Sequence, residues 1–431
     1  MRIAVIGSGI SGLVCAWLLS REHHVILYEA QDYFGGHTHT HRIALEGTTY
    51  QVDSGFIVYN TRHYPLLTRL LAELGVTSQA TTMSFAVRND RSGLEYNASS
   101  LNGLFCQRRN LMSPRFLGMV RELLRFYREA PAVLADDRCD LTLEQYLVQR
   151  QYSDAFIQDH LVPMGAALWS CPPADVLAFP VRHLLQFMAN HQMLQVAGRP
   201  SWQVVQGGSS QYVAALTSRW RVEERVRAPV RRVWRFRSHV AVKTDGGVER
   251  FDHLVMACHS DQALALLADA SAQERDILGA IRYHKNDVIL HSDPAVLPSK
   301  RRFWAAWNVL VSTRSESPFI VSYCMNLLQG LKSTQPLIVT LNGEGDIDSH
   351  RVLERMRYEH PVFNLAAVAA QKRKEQIQGS NRTWYAGAYW GWGFHEDGMR
   401  SAVAVAHAFG IDWPDSGSGT TNRAAFEVRA A

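Results

Sequence analysis

The sequence predicts an α/β protein organised around a parallel sheet. Three observations predict it. The chain opens on an apolar strand-like run, Arg2-Ile3-Ala4-Val5-Ile6, which passes through GSGISG into an apolar helical stretch, LVCAWLLS. A second apolar run, Val25-Ile26-Leu27-Tyr28, ends in an acid, Glu29. Near the other end, RTWYAGAYWGWGFHEDGMRSAVAVAHAFG reads as a strand, a loop rich in glycine and tryptophan, and a closing helix. Strand, glycines, helix, strand and acid in this order define a Rossmann-type dinucleotide-binding unit.

Each part of the unit has a physical reason. Gly7 permits the tight turn, Gly9 lets backbone approach a pyrophosphate, and Gly12 lets the helix pack on the strand. With Ser11 they place a phosphate at the positive end of the helix. Glu29 stands 20 residues beyond Gly9, where a carboxylate binds the ribose hydroxyls and disfavours a 2′-phosphate. The turn before the second strand is Glu22-His23-His24, where many such units carry a glycine. A second glycine pair, Gly35-Gly36, follows in EAQDYFGGHTHT. His37, His39 and His41 alternate after it, but lack an Asp, Glu or Cys partner at metal-ligand spacing. Two readings stand for them: phosphate contact and ordinary surface histidines. No metal is expected.

Composition narrows the function. The chain has 431 residues, with 45 Lys+Arg against 40 Asp+Glu, a mild excess that gives no reason to expect nucleic acid. No apolar run approaches the roughly 20 residues of a membrane span. The first strand leaves no room for a secretory signal. The six cysteines include no CxxC pair, which suits free thiols and a cytoplasmic location.

Two later segments extend the pattern. WQVVQGGSSQYVAAL carries Gly207-Gly208 ahead of a helix, and the stretch from Arg221 to Cys258 alternates like antiparallel strands turned at Asp245-Gly246-Gly247. With the EA…GG segment and the closing strand–loop–helix, these resemble the flavin amine oxidase and phytoene desaturase superfamily. Most members carry Arg where this chain has His37. The resemblance implies FAD, with Gly35, Gly36 and His37 at the pyrophosphate and Val226, after Arg225, beside the adenine. It places Gly387, Trp392, Gly393, Phe394, Asp397 and Gly398 around the flavin, with a helix from about Asp397 aimed at the pyrimidine edge. No cysteine follows Cys324, so the closing loop offers no thioether. FAD is expected to be non-covalent unless a histidine makes the bond. The resemblance implies a discontinuous FAD-binding domain (1–80, 200–285 and 380–412), of the glutathione-reductase and amine-oxidase type. An inserted α+β substrate domain (81–199 and 286–379) and a mobile tail (413–431) complete the division.

Further blocks, VDSGFIVYN, MSFAV, WAAWN, YCMNLLQ and GFHEDGMRS, resemble bacterial amine-oxidase-like flavoproteins found beside cyclopropane-fatty-acid-synthase-like methyltransferases. That resemblance implies desaturation of a methyl-branched fatty acyl chain and a methyltransferase partner. In residues 114–128, Ser113 and Pro114 start a helix. Phe116, Leu117, Val120, Leu123, Leu124 and Tyr127 share one face, with Arg121, Arg125 and Arg128 opposite. The face either packs on the core or lies on an anionic bilayer at the inner side of the cell membrane.

For dehydrogenation by hydride transfer to flavin N5, Phe56, Tyr59, Trp304, Trp307, Tyr323 and Trp390 are candidate walls of an apolar pocket, or plain core. His395 and Glu396 are the candidate bases, Glu396 with the alternative of capping the last helix. Rival readings are an amine oxidase, a non-redox flavin-dependent isomerase or mutase, and a flavoprotein that serves as a binding partner only.

Overall fold

The computed structural model describes residues 1–195, 198, 200–313 and 319–413. Its first sheet is wholly parallel, in the order Thr383–Tyr385, His253–Met256, Arg2–Ile6, His24–Tyr28, Val222–Arg225. The first strand of the chain is central; successive strands are added on one side of it, and then on the other. Such a reversal opens a crevice at the carboxyl ends of the strands. Ile3, Ala4 and Val5 are completely buried, which explains why this strand reads as an unbroken apolar run. Helices Ile10–Leu19 and His395–Ala408 pack together beneath that end of the sheet. The closing helix thus begins ahead of the expected Asp397.

Beside this sheet lies a three-stranded antiparallel one, Arg232–Arg235, Val240–Thr244 and Gly247–Phe251. Gly247 pairs with Thr244, so the turn is Asp245-Gly246 and Gly247 already belongs to the strand.

A second large sheet has seven strands: Val352–Pro361, Tyr283–His291, Ile338–Leu341, Phe319–Cys324, Trp307–Val311, Phe85–Asn89 and Leu94–Asn97. All neighbours are antiparallel except Trp307–Val311 with Phe85–Asn89. Helix Val162–Trp169 covers one face, burying Val162 and Ala167 against Val309, Val311 and Val321.

The helix expected at 114–128 runs Pro114–Ala135, with the Ser113 hydroxyl accepting the Phe116 N–H at 3.3 Å. It packs on the core. Phe116, Met119, Phe126, Ala130 and Val133 are buried, and Val120, Leu123 and Tyr127 lean on the same cluster. Leu117 and Leu124, expected on that face, are exposed. Arg115 pairs with buried Asp159 at 2.7 Å, and Arg125 pairs with Glu129 at 2.7 Å.

Trp413, expected in a mobile tail, is buried: its ring meets Trp17 edge-on and its Nε1 donates to Glu73 at 2.8 Å. The rest of the expected tail, 414–431, lies outside the described residues. All six cysteines are unpaired. No helix among the described residues is long and apolar enough to cross a membrane.

Candidate active site

A cavity of about 1070 Å³ runs from the glycine turn after the first strand to Ala98, Ser99 and Tyr127 between the second sheet and helix Pro114–Ala135. Pockets for one small ligand span roughly 300–1,000 Å³, so the volume lies at the large end and suits a cofactor-sized ligand.

At the glycine end, Gly7 holds a φ of +98°, and a Cβ there would sit 2.9 Å from the Ala257 carbonyl oxygen. A Cβ on Gly12 would stand 1.8 Å from the Gly7 oxygen, so the helix reaches its strand only because both residues lack side chains. Gly9 faces open space and begins helix Ile10–Leu19, whose first turn carries no acid. Gly36 approaches Gly9, and its Cβ would lie 3.1 Å from the Gly9 Cα. The result is a narrow cradle of backbone at a helix N-terminus, the environment a pyrophosphate needs.

Gly7, Gly9, Ser11, Glu29, Gly35, Gly36 and His37 all line the cavity. Glu29 Oε2 accepts the Ser8 N–H at 3.0 Å and the Ser8 hydroxyl at 2.6 Å, while Oε1 accepts the Gln31 N–H at 2.9 Å. The carboxylate is therefore held at the cavity wall. The Nε2 of His37 is buried without a partner, and burial lowers its imidazole pKa to about 4. His39 and His41 stay off the cavity, held by Tyr358 and Ser54 at 3.3 and 2.8 Å. Among the described residues no group of His, Cys, Asp and Glu is placed to hold a metal.

Several expected positions need correction. Val226 is exposed and lies off the cavity; Arg227 adopts a φ of +52°, and Ala228, Pro229 and Val230 form the wall instead. Gly12 packs its helix on the strand and lies off the cavity, and Gly398 is a packing position too. A Cβ on Gly398 would lie 2.8 Å from both Ile10 and Ser11, and its carbonyl accepts the Ser11 hydroxyl at 3.0 Å. Asp397 turns inward and accepts the Trp392 and Phe394 N–H groups at 3.0 and 3.1 Å. It pins the loop whose members Gly387, Trp392, Gly393 and Phe394 do line the cavity.

The two candidate bases separate. His395 lines the cavity, its ring stacked on Phe56 with centroids 3.6 Å apart. Its Nε2 lies 3.0 Å from the Thr38 hydroxyl and 3.2 Å from the Tyr212 hydroxyl. Burial first, and His37 second, lower its pKa to about 3, so the imidazole is neutral at ordinary pH. Glu396 faces a smaller pocket of about 560 Å³ and accepts the N–H groups of Leu66 and Leu67 at 2.9 and 3.1 Å. It caps helix Pro65–Leu74, not the helix it belongs to. Burial raises its pKa to about 7.

Of the expected wall residues, Phe56, Trp307 and Tyr323 line the cavity. Tyr59 donates to Ser78 in the core, Trp304 donates to the Pro298 carbonyl, and Trp390 donates to the Tyr385 carbonyl; none of the three reaches the cavity. The sequence reading missed His259, Tyr283, Glu359, His360, Met164 and Phe363, which do line it. Tyr283, Glu359 and His360 come from strands, Met164 from a helix, and His259 and Phe363 from loops, and no local signal marks them.

Parallel sheet, glycine cradle and oriented acid define a dinucleotide-binding enzyme. The chain belongs to the flavin-containing amine oxidoreductase family, whose sequence profile matches residues 10–288. It is an FAD-dependent oxidoreductase with the amine-oxidase-like fold. Three solved structures share that fold. A putrescine oxidase variant is 14% identical with a TM-score of 0.68, covering 95% of this chain and 98% of its own. A CLA-producing fatty acid isomerase from P. acnes is 14% identical at 0.66, with 95% and 98% covered. Cyclohexylamine oxidase from Brevibacterium oxydans is 15% identical at 0.65, with 95% and 99% covered. No curated protein matches the sequence significantly.

Proposed function

We propose that the enzyme dehydrogenates an apolar substrate, a methyl-branched fatty acyl chain of a phospholipid, with FAD bound non-covalently in the cradle. One observation carries the reading. The only carboxylates among the described residues lining the cavity are Glu29 and Glu359, with no lysine or arginine. Glu29 flanks the cradle, and Glu359 pairs with His259 at 3.3 Å, next to the strand end at Ala257. The remaining wall is built from groups such as Met83, Phe85, Met164, Trp307 and Phe363. An acyl chain meets a matching surface there. The methyl branch is supported by the resemblance of the sequence blocks, and a methyltransferase that installs the branch would act before this enzyme.

FAD, when bound, accepts the hydride equivalent that leaves the substrate carbon. The protein's part is placement and proton handling. Gly7, Gly9, Gly36 and the N-terminus of Ile10–Leu19 would hold the pyrophosphate, and Glu29 the ribose. The N-terminus of His395–Ala408 presents a partial positive charge to the cavity end of the closing loop. His395 is the proton acceptor in this reading: a neutral imidazole on the cavity wall, oriented by Phe56, Thr38 and Tyr212. The apolar walls exclude water from the reacting carbon.

Exposed Leu101, Leu111, Met112, Leu117 and Leu124, interspersed with Arg108, Arg109, Arg115 and Arg121, support docking on an anionic bilayer at the cytoplasmic face. The reading is tested by mixing the oxidised holoenzyme anaerobically with phospholipids bearing methyl-branched chains and, separately, with amines. Bleaching of the flavin by the lipid supports it. Bleaching by an amine alone replaces it with amine oxidation.

A further inference from the structure

We infer that His37, His259 and His360 surround an anion site at the glycine turn, and that His37 and His360 take up protons when the FAD diphosphate binds, so that flavin is held more tightly as pH falls. The inference rests on the reading of the cradle as the FAD site.

Geometry puts the histidines there. Gly36 abuts Gly9 on one side of the turn, and Ala257-Cys258 abuts Gly7 on the other. His37 and His259 are the next residues of those two segments, so they flank the turn, with ring centroids 6.5 Å apart. His360 comes from the end of strand Val352–Pro361 and lies 5.1 Å from His37. All three line the cavity. With no lysine or arginine among the described residues lining it, imidazoles are the side chains there that can become cationic near neutral pH.

Each element packed around the cluster contributes charge or a titratable group. Glu359 Oε2 lies 3.3 Å from His259 Nδ1, and its Oε1 lies 3.9 Å from the Lys285 ammonium. Tyr283, with His284 beside it on the same strand, stacks on His259, and Tyr358 packs on His37 at 4.9 Å. His395 stands on the closing helix, and Glu29 directly follows the second strand. Asn286 Nδ2 lies 3.0 Å from His360 Nδ1. In the free protein, burial and mutual repulsion push His37 to about 4 and His360 well below its ordinary value. A diphosphate held at the turn beside them would reverse the balance, because its negative charges would favour the imidazolium form. The protons come from solvent and sit on ring nitrogens, of which His37 Nε2 is already without a partner.

The sign follows from linkage. Groups with a higher pKa in the complex than in the free protein bind protons on association, and affinity weakens as pH rises through the complex's pKa. The test dilutes the purified holoenzyme at pH 6.0 to 8.5 and reads released FAD by its fluorescence, with circular dichroism at each pH to show an intact fold. The dissociation constant should rise about tenfold or more between pH 6 and 8. His37→Arg, a permanent cation, should flatten the profile, and His360→Gln should make it shallower. Proton release on flavin dissociation, followed with an indicator dye in weak buffer, needs no variant. A constant unaffected by pH, no proton release, or variant profiles as steep as wild type would each overturn the proposal while leaving the FAD site in place. Protein that carries no flavin at any pH would instead remove the FAD-site reading beneath it.

Discussion

The carboxylate of Glu396 accepts the Leu66 N–H at 2.9 Å and thereby fastens the closing helix to the start of helix Pro65–Leu74. Burial lifts this acid from its usual range to about 7. Its folded-state pKa is raised, so its contribution to stability is full below the unfolded value near 4.5 and is lost as pH rises to about 7. The loss amounts to at most about 3 kcal/mol. Glu396→Gln, which resembles the protonated acid, should show no such loss. The stability difference between wild type and variant, followed by urea unfolding from pH 4.5 to 7.5, should drift in favour of the variant. A constant difference would mean that Glu396 does not titrate in that window.

His395→Gln should retain flavin and slow its reduction by substrate by about 10²-fold or more, the range for loss of a positioned base. Because the imidazole pKa is depressed to about 3, His395 should leave no inflection in the wild-type reduction rate between pH 5 and 8. Stopped-flow absorbance reads both quantities. An unchanged rate removes His395 from the mechanism.

Glu274 gives the opposite pH dependence. It is buried at the edge of the parallel sheet, where Arg235 grips both of its oxygens and the Tyr385 hydroxyl donates at 2.6 Å. Burial opposes its ionisation, but these hydrogen bonds prevail and its pKa falls to about 2. A depressed folded-state pKa contributes stability above about 4.5 that is lost as pH falls towards 2. Glu274→Ala leaves buried Arg235 with Asp269, at 3.0 Å, as its remaining carboxylate partner, and should cost about 2–3 kcal/mol at neutral pH. The cost should shrink in acid, as read by thermal unfolding at pH 7 and pH 3.5.

Met112 is 88% exposed and Leu124 51%, so Met112→Asp with Leu124→Asp should change stability by no more than about 0.5 kcal/mol each. The double variant should lose co-sedimentation with vesicles containing anionic phospholipid. Equal sedimentation of both proteins would place any membrane contact elsewhere.

The cradle was legible because its causes are local. Gly7, Gly9, Gly12 and Glu29 sit within one strand–helix–strand unit, where spacing and backbone conformation decide the structure. The chamber was not. Trp304 and Trp307 look equivalent in WAAWN, yet the strand begins at Trp307, and Trp304 lies before it with its indole tied to Pro298. Likewise the even face read from Phe116 to Tyr127 is split by its packing partners: Met119 and Phe126 go inward and Leu117 and Leu124 outward. His360 reaches His37 only through the pairing of strands distant in sequence. Glu396 showed how a cap at one helix start can come from a residue far along the chain.

The sheet order has a consequence for biosynthesis. Arg2 bonds Asp252 across 250 positions of chain, and Ser11 bonds Gly398 across 387. At roughly 5–20 residues per second, the first strand leaves the ribosome about 10–50 s before the neighbour on its second side exists. The nascent glycine turn must wait through that interval with an apolar strand edge unsatisfied, and the cradle is finished only once Gly398 has been added. Flavin supply thus matters once the closing helix His395–Ala408 has emerged, and nascent chains arrested before it should be aggregation-prone and free of flavin.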